Sequence, residues 1–442
     1  MLKVFLWLRY LHKKKIVFLS IAAVAVSTAL LIVVSNLFNG FINAFEGAAT
    51  EMLGDVVIAP PVKFAGYTEL IEQLRRNPDV EAATATLSVP GLLTFGGGNV
   101  RAVIISGIEP TSKAAVTGFK SSLLKQKKSA GAPSFTAPGE KEVGGFVGIG
   151  VITEPDEKTD EYDFAAVEKM IGQEVVVTTG TASEESGGQI RRRVIKFTVS
   201  DIVFTGAYYL DKTFVYLPIE VVQKAIQQGE EGRVADQIQI KLAEGVIPEA
   251  SIERIRQIWS LFANQHLKWN DSLIEQTGVT TSKQMQAQYV AEFRKQRDIL
   301  MLIFGVVSLS VVMLIFCIFY MIVVTRMKDI AIIKSCGATN FSAGVIFFGF
   351  GGCVGVAGGV LGAIIAAIIT KNINTIEGWI RILFGLKLWK SSAYMFSKIP
   401  NQMDWVSAMP ILIFAVIAAA LGALVPAIIA ARTKPVEVLR YE

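Results

Sequence analysis

Four long stretches without a charged residue constrain this 442-residue chain more than any other feature. They run over Ile16 to Phe45, Ile299 to Thr325, Ser335 to Thr370 and Trp405 to Ala431. Because about 20 apolar residues in a helix cross the hydrocarbon core of a bilayer, each stretch predicts a membrane-spanning helix. The chain is 52% hydrophobic and 18% charged. It is therefore too apolar for an ordinary soluble protein and too polar to consist of spans alone.

The first stretch also has features of a signal peptide, since three lysines precede it and Ala23-Val24-Ala25 could be a cleavage site. Cleavage there would leave only Ile16 to Ala22 as the apolar core, which is the short end of the usual range. We interpret the stretch as an uncleaved span.

Basic residues predict the orientation, because cytoplasmic loops carry an excess of Lys and Arg. With four spans, the arm, the segment between spans two and three and the tail lie on one side. Their basic residues are Lys3, Arg9, Lys13, Lys14, Lys15, Arg326, Lys328, Lys334, Arg432, Lys434 and Arg440. The short segment on the opposite side has Lys371, Arg381, Lys387, Lys390 and Lys398. The bias predicts both termini in the cytoplasm and explains the net charge of +5 without nucleic-acid binding.

Spans one and two are predicted to continue outward as helical stalks over 39–53 and 281–298. Met285, Tyr289 and Phe293 recur every four residues in a polar background. A helix from Thr281 to Thr325 would be about 65 Å long, whereas the hydrocarbon core is about 30 Å thick. The alternative is an amphipathic surface helix that breaks at the membrane.

Between the stalks, the pattern predicts a large extracytoplasmic α+β domain with a mainly-β subdomain inserted into it. The α+β halves are 54–110 and 210–270, and the insertion is 111–209. The outer domain has no cysteine, so no disulfide is expected there. The predicted segments are an arm (1–15), span one (16–38), the extracytoplasmic domain (39–298), span two (299–325), a cytoplasmic helix (326–340), span three (341–370), an outer loop (371–404), span four (405–431) and a tail (432–442).

Span three has glycines at helical spacing, and Gly351, Gly355 and Gly359 are four residues apart. Small residues at this spacing let helices approach closely in lipid. They predict tight helix packing, either within the bundle or across a dimer. In span four, Pro410 and Pro426 predict a local start and a kink.

Residues for catalysis, metal binding or cofactor binding are not expected in this chain. The two histidines, His12 and His266, lack the spacing of metal ligands, and there is no P-loop sequence. The uncharged spans argue against a proton relay or an ion path. They leave two possibilities, the movement of a hydrophobic or amphiphilic cargo and the transmission of force.

The segment from Arg326 to Ala338 reads RMKDIAIIKSCGA and directly follows span two. By itself it fits a short helix on the membrane surface as well as a protein-docking helix. It closely resembles the segment after the second span of FtsX/MacB/LolC-type ABC permeases, except that Asp329 stands where Glu is commoner. The tail Ala430 to Glu442 resembles the same family's ending, as does the order of one span, a large outer domain and three spans.

Within that family the chain is most similar to the lipoprotein-releasing LolC/LolE branch. Four short motifs carry this resemblance: Arg9-Tyr10, Asn39-Gly40-Phe41, Leu383-Phe384-Gly385 and Lys398-Ile399-Pro400. The resemblance extends over the whole chain and is weakest between Thr111 and Tyr209.

The resemblance implies a non-catalytic permease subunit in the bacterial inner membrane, paired with a second permease chain that is identical or different. A separate cytoplasmic ATPase would use ATP and Mg²⁺, and its closure would move the outer domain by mechanotransmission. The residues implied to couple the permease to the ATPase are Arg326, Lys328, Asp329, Ile330, Ile332, Ile333, Lys334 and Gly337.

In the LolC/LolE branch the cargo is a lipoprotein, which is handed to a periplasmic carrier. Its acyl chains would enter between the outer ends of spans one and two, where Asn36, Phe38, Phe41 and Val306 are candidate contacts. The alternatives are an FtsX-like regulator that activates a cell-wall hydrolase without transport, and a MacB-like export permease.

Overall fold

The computed structural model describes residues 15–442 apart from a set of short gaps. The gaps are 96–97, 137–142, 157–158, 183–189, 227–232, 336, 386, 388, 395, 397, 435, 437 and 439–442. The predicted topology signals Lys3, Arg9, Lys13, Lys14 and Arg440 lie outside the described residues. The chain divides into two compact units. We call them the membrane unit (1–43, 291–376 and 399–442) and the outer unit (44–290 and 377–398).

The helices are, in chain order, α1 (Lys15–Leu53), α2 (Tyr67–Arg75), α3 (Pro110–Val116), α4 (Ile149–Ile152), α5 (Phe164–Glu168), α6 (Tyr208–Thr213), α7 (Ile219–Ile226), α8 (Pro248–Phe262), α9 (Asp271–Glu275), α10 (Ser282–Met285), α11 (Ala287–Thr325), α12 (Met327–Ser335), α13 (Asn340–Lys371), α14 (Ile373–Phe384), α15 (Ser391–Tyr394), α16 (Trp405–Gly422) and α17 (Leu424–Arg432). The strands are β1 (Val56–Ala59), β2 (Phe64–Ala65), β3 (Val80–Phe95), β4 (Asn99–Ile108), β5 (Gly144–Gly148), β6 (Glu174–Ala182), β7 (Ile190–Val203), β8 (Phe214–Pro218), β9 (Val234–Ala235), β10 (Gln237–Leu242) and β11 (Gly278–Thr281).

Within the described part of the chain, four helical segments are long and apolar enough to cross a membrane, as the sequence predicts. They are Ile16–Leu53, Ala287–Thr325, Asn340–Lys371 and Trp405–Arg432. The first and second are 38 and 39 residues long, about twice the length that a bilayer needs. The surplus turns are the predicted stalks.

The sequence predicts that the second stalk is one continuous helix from Thr281, but the structure has a break in it. Thr281 and Gln284 form a reciprocal capping box that starts α10. This helix ends at Gln286, whose ψ of 2° departs from α-helical geometry, and α11 then begins at Ala287. The prediction of an unbroken helix is therefore wrong at Gln286.

The fourth span is interrupted at Ala423, between α16 and α17. Proline lacks an N–H group, and its ring collides with the carbonyl four residues earlier. Pro426 is three residues beyond Ala423, so the break lies within the turn that this proline disturbs. Pro410 lies inside α16 without ending it.

Glycines of α13 face two different helices of the membrane unit. A Cβ atom at Gly351 would lie 2.4 Å from Ala423 Cβ, and one at Gly355 would lie 2.9 Å from Ala419 Cβ. On the α1 side, a Cβ atom at Gly358 would lie 2.6 Å from Val24 Cβ. Gly362 approaches α1 in the same way, and Gly359 faces Leu412 on α16. Both glycine rows therefore serve packing within the chain.

The outer unit is built on one sheet with the strand order β11-β1-β10-β3-β4-β8-β5-β7-β6. Strand β3 also pairs with β6 over Gly91–Thr94. This extra pairing joins β3, β4, β8, β5, β7 and β6 into a ring of six strands, which we call the barrel. The first part of β3 pairs with β10 over 80–86, so β3 belongs to both the open sheet and the barrel.

The predicted insertion at 111–209 is not a separate subdomain. The barrel takes β4, β8 and half of β3 from segments that the sequence assigns to the α+β halves. Strand β3 itself is not predicted from the sequence, because Pro90-Gly91 in its middle is typical of a turn. Gly91 is needed inside the barrel, since a Cβ atom there would lie 2.6 Å from the Ile105 side chain.

We expect Gly355→Val to destabilise the membrane unit by about 1–3 kcal/mol, because a larger side chain would overpack a close helix contact. A Cβ atom at this position would lie 2.9 Å from both Ala419 Cβ and Val416 Cα. Neither atom can move away without a shift of the α16 backbone. Thermal unfolding of the detergent-solubilised chain measures the loss. Gly352→Val is the matched control, since nothing lies within 4 Å of a Cβ atom there. Equal losses in both variants would contradict the packing role.

Candidate functional site

Helix α12 divides the predicted coupling residues into buried and exposed groups. Ile330 is 4% exposed and belongs to the hydrophobic core of the membrane unit, whereas Ile332 is 53% exposed. Two isoleucines of the same segment thus face opposite ways, as 3.6 residues per turn require. Ile330 is a packing residue, and Ile332 is available to a partner. The Ile333 side chain lies outside the described residues.

The charged residues of this segment make two kinds of contact, one within the segment and one to another helix. Arg326 Nη1 donates to Asp329 Oδ2 at 2.6 Å, an ion pair across the start of α12. Lys334 Nζ donates to the carbonyl oxygens of Ala431 at 2.9 Å and Thr433 at 2.5 Å. These carbonyls end α17, where a cation is favourable because of the helix dipole. Lys334 therefore fastens α12 to the end of the fourth span.

Two more of the predicted coupling residues have distinct positions. Lys328 is exposed on α12. Gly337 has a φ of 98°, a left-handed conformation that favours glycine after a helix end. Gly337 thus shapes the turn into α13, while Lys328 and Ile332 remain on the surface.

A polar clamp ties together the outer ends of α1, α11 and α16. Asn39 Nδ2 donates to Asp404 Oδ2 at 3.1 Å and to Ser407 Oγ at 2.8 Å. Arg297 Nη1 donates to Asn39 Oδ1 at 2.9 Å. Asp404 also caps α16, and the hydrogen bond from the Ser407 hydroxyl is the main cause that holds the pKa of Asp404 below its usual range.

The residues predicted to contact acyl chains do not form one pocket. Asn36 is 1% exposed, donates to Met403 Sδ at 2.8 Å and accepts from the Asp404 N–H at 3.3 Å. Phe41 is 7% exposed and packs edge-on against Phe293 with ring centroids 4.8 Å apart. Asn36 and Phe41 therefore hold helices together. Phe38 is half-buried, and Val306 is exposed.

A small cleft does lie between α1, α11 and α16, with a cavity volume of about 20 Å³. Ser27 and Ser308 share a hydrogen bond of 2.7 Å at this cleft, and the other lining groups are mainly apolar. None of the four predicted acyl contacts lines it. In this conformation α1 and α11 of one chain are joined along their facing sides by Ser27–Ser308, Asn39–Arg297 and Phe41–Phe293.

A buried lysine marks the place where the first stalk meets the sheet of the outer unit. Lys113 on α3 is 4% exposed, and its Nζ donates to the Met52 carbonyl at 2.8 Å and to Gln239 Oε1. Met52 is in the last turn of α1, so the ammonium group satisfies a terminal helix carbonyl. Burial lowers the pKa of Lys113 from 10.5 to about 7.

The second stalk begins at the same edge of the outer unit. Ser282, the first residue of α10, donates from its N–H to the Asp55 carbonyl at 3.1 Å, and its hydroxyl donates to the Gly54 carbonyl. Gly54 has a φ of 79°, and a Cβ atom there would lie 2.7 Å from the Ile240 carbonyl oxygen. Backbone contacts thus join the two stalk ends.

Several of these residues escape sequence reasoning. Lys113 lies at the start of the segment predicted as a mainly-β insertion, and Arg297 looks like one of many stalk charges. Asn39 carries a usable signal, because an amide within an apolar run needs a hydrogen-bond partner. Among the described residues, no group of three His, Cys, Asp or Glu side chains could hold a metal ion.

Two known protein families match most of the chain. Residues 17–258 match the family described as MacB-like periplasmic core domain, and residues 301–435 match the family described as FtsX-like permease C-terminal. The lipoprotein-releasing system transmembrane protein LolC of Neisseria meningitidis is 24% identical over 465 residues, covering 100% of this chain and 99% of that protein.

Two further similarities involve other proteins. The lipoprotein-releasing system transmembrane protein LolE of Haemophilus influenzae is 22% identical over 95% of this chain and 93% of that protein. The periplasmic region of MacB from Actinobacillus actinomycetemcomitans aligns with 54% of this chain and 94% of its own length, with 11% identity and a TM-score of 0.27. The curated relatives confirm the predicted resemblance to the LolC/LolE branch.

The stability of the outer unit is expected to rise with pH between about pH 7 and pH 10.5, the folded and unfolded pKa values of Lys113. In this window the unfolded chain binds a proton at Lys113 that the folded chain does not. The slope from this residue approaches about 1.4 kcal/mol per pH unit. Hydrogen exchange of the full-length chain in nanodiscs measures it across the window.

Lys113→Met removes the ammonium group while keeping the length of the side chain, so this part of the slope should vanish. Lys127→Met, at an exposed lysine of the same unit, is the matched control and should retain the slope. An unchanged slope in Lys113→Met would contradict the assignment.

Proposed function

Because this chain belongs to the FtsX-like ABC permeases that carry a MacB-like periplasmic core domain, we propose that it extracts lipoproteins from the inner membrane by mechanotransmission. Its curated relatives are named lipoprotein-releasing system transmembrane proteins. The proposed reaction is the ATP-driven transfer of a lipidated protein from the outer leaflet to a periplasmic carrier. The permease does no covalent chemistry, and the partner ATPase supplies ATP hydrolysis with Mg²⁺.

One observation carries the proposal: α1 and α11 extend far beyond the length of a span and are paired with each other. In the membrane unit, the Asn39–Arg297 hydrogen bond and the Phe41–Phe293 contact join them. In the outer unit, Phe45 and Tyr289 continue the pairing with ring centroids 6.3 Å apart. Paired helices transmit a displacement better than single ones, because each resists bending of the other.

We assign to α12 the role of receiving force from the partner ATPase. It begins two residues after α11 ends, and Arg326 forms the connection. Lys334 fastens α12 to α17, and Ile330 buries it in the core of the membrane unit. A push on the exposed side, at Lys328 and Ile332, would therefore move several spans together. This is the property expected of a helix that docks on an ATPase.

The cargo surface is assigned to the exposed side of α11. Leu302, Val306 and Leu309 are 61–69% exposed and uncharged. Acyl chains need such a surface, since apolar contact with it replaces contact with lipid at little cost. A second permease chain, identical or different, would face this surface across a dimer. The proposed location is the bacterial inner membrane with both termini in the cytoplasm.

We expect Ile332→Glu to abolish recovery of the partner ATPase in a pull-down without changing the thermal stability of the permease. The side chain is 53% exposed, so a carboxylate there disturbs a partner and not the core. Ile330→Glu is the matched comparison, because it buries a charge at a site that is 4% exposed and should lower stability. Full ATPase recovery with Ile332→Glu would refute the docking role.

The decisive experiment for the cargo is photocrosslinking from position 306 in cells. A photoreactive residue in place of Val306 should label lipidated proteins, and the label should decrease when ATP-driven release proceeds. The control is the same residue in place of Ile413 on α16, which is 56% exposed and reports chance encounters in the bilayer.

Equal labelling from both positions would argue against a cargo surface on α11. Labelling of a soluble cell-wall hydrolase from the outer unit, without labelled lipoproteins, would instead support the regulator alternative.

A further inference from the structure

The loop between the third and fourth spans packs with the outer unit, although both of its ends join spans of the membrane unit. Residues 377–398 belong to the outer unit by their contacts. They comprise most of α14, the short helix α15 and the connections around them. Three polar side chains of this loop, Arg381, Lys387 and Ser391, contact one turn of the outer unit at 159–161.

That turn is built to present Asp160. The Asp160 N–H donates to the Asp156 carbonyl at 2.7 Å, and the Thr159 N–H donates to Asp156 Oδ1 at 2.8 Å. Asp160 itself has a φ of 52°. A residue other than glycine is uncommon in this left-handed region, although Asp and Asn tolerate it best. The turn lies in the connection between β5 and β6 of the barrel.

Both carboxylate oxygens of Asp160 are used by the loop. Oδ2 accepts from the Ser391 N–H at 2.7 Å, and Oδ1 accepts from the Ser391 hydroxyl at 3.1 Å. Lys387 Nζ lies 3.4 Å from Oδ2, and the side chains of this pair are 9% and 6% exposed. Lys387 also donates to the Thr159 carbonyl at 2.7 Å. A charge pair this deeply buried holds its geometry, because separating it leaves an uncompensated charge out of water.

Weaker contacts extend the same attachment. Arg381 Nη1 lies 3.4 Å from both the Thr159 carbonyl oxygen and Glu161 Oε1. Further along the loop, Phe396 forms an antiparallel bridge with Ala207, and Trp389 Nε1 donates to the Phe396 carbonyl at 2.9 Å. The loop is thus fixed at several points, and Asp160 contributes a buried charge pair with Lys387 to them.

We propose that Asp160 is a positioning residue that makes this loop a third mechanical connection between the spans and the barrel, in addition to the two stalks. The inference rests on the proposed function, because it assumes that movement of the spans drives the outer unit. The stalks join the open sheet at Gly54 and Ser282, whereas Asp160 lies in a barrel connection. The loop therefore acts on a different part of the outer unit from the stalks, and it ties that part to spans three and four.

The test compares the full-length permease, assembled with its ATPase and second permease chain in nanodiscs, with and without ATP and Mg²⁺. Hydrogen exchange in β5 and β7 reports movement of the barrel, and exchange in 387–396 reports the loop. Asp160→Asn keeps the left-handed turn and one acceptor oxygen but removes the charge, and Lys387→Met removes the other partner. Lys390→Met is the matched control at an exposed lysine of the same loop.

We expect Asp160→Asn and Lys387→Met each to raise hydrogen exchange in 387–396 by about tenfold or more, since removing one partner of a buried charge pair is costly. The ATP-dependent change in β5 and β7 should then fall several-fold, while the ATPase rate and the ATP-dependent change in β1 and β11 at the stalk ends stay near wild type. Lys390→Met should change none of these.

The proposal is overturned if exchange in 387–396 rises but the ATP-dependent change in β5 and β7 is retained. It is equally overturned if exchange in 387–396 is unaffected, or if the wild-type barrel shows no response to ATP. Release of a lipidated protein, measured in the same assembly, tests the proposed function separately. A wild-type assembly that moves its barrel but releases no lipoprotein would refute the cargo and leave the third connection standing.

Discussion

Hydrocarbon offers no hydrogen-bond partner, and this constraint governs where the polar contacts of the membrane unit lie. The contacts of charged side chains lie on two sides of the membrane unit, with Arg297 and Asp404 on one side and Lys334 on the other. In between, close glycine contacts and the Ser27–Ser308 hydroxyl pair hold the helices. The bundle is thus fastened on both sides by directional polar bonds and in between mainly by close packing, so tilting is less costly than separation.

Much of the architecture could be predicted from the sequence, because the responsible signals are local. An uncharged run of sufficient length predicts a span whatever lies around it. Strand β3 was missed for the same reason, since Pro90-Gly91 gives a local turn signal that a pairing with distant strands overrides. The closure of the barrel by Gly91–Thr94 and β6 leaves no mark on either segment alone.

The roles of the candidate site residues depend on long-range contacts that local sequence patterns do not predict. Ile330 and Ile332 are chemically identical, and only the packing of α12 on the bundle distinguishes the core residue from the exposed one. Asn36 is a candidate acyl-chain contact by sequence, yet its side-chain amide is hydrogen-bonded to Met403 and to the Asp404 backbone. The glycine spacing of α13 predicts close approach but cannot name the partner helices. In each case the missing information is a contact between residues far apart in the sequence.

The unequal burial of α11 along its length has a geometric consequence. Near one end, Ile315, Phe319 and Val323 are at most 1% exposed, whereas Leu302 and Leu309 are 69% and 65% exposed. Beyond this packed region α11 is held by individual side chains such as Arg297 and Phe293, so a rotation about the packed region moves the far end most. From Phe319 to Ala287 the helix is about 48 Å long, so a rotation of about 5° about the packed region displaces the far end by about 4 Å. Such a small change of angle needs no side chain in the packed region to change its neighbours, and it amplifies a subtle event on one face of a membrane into a large one on the other.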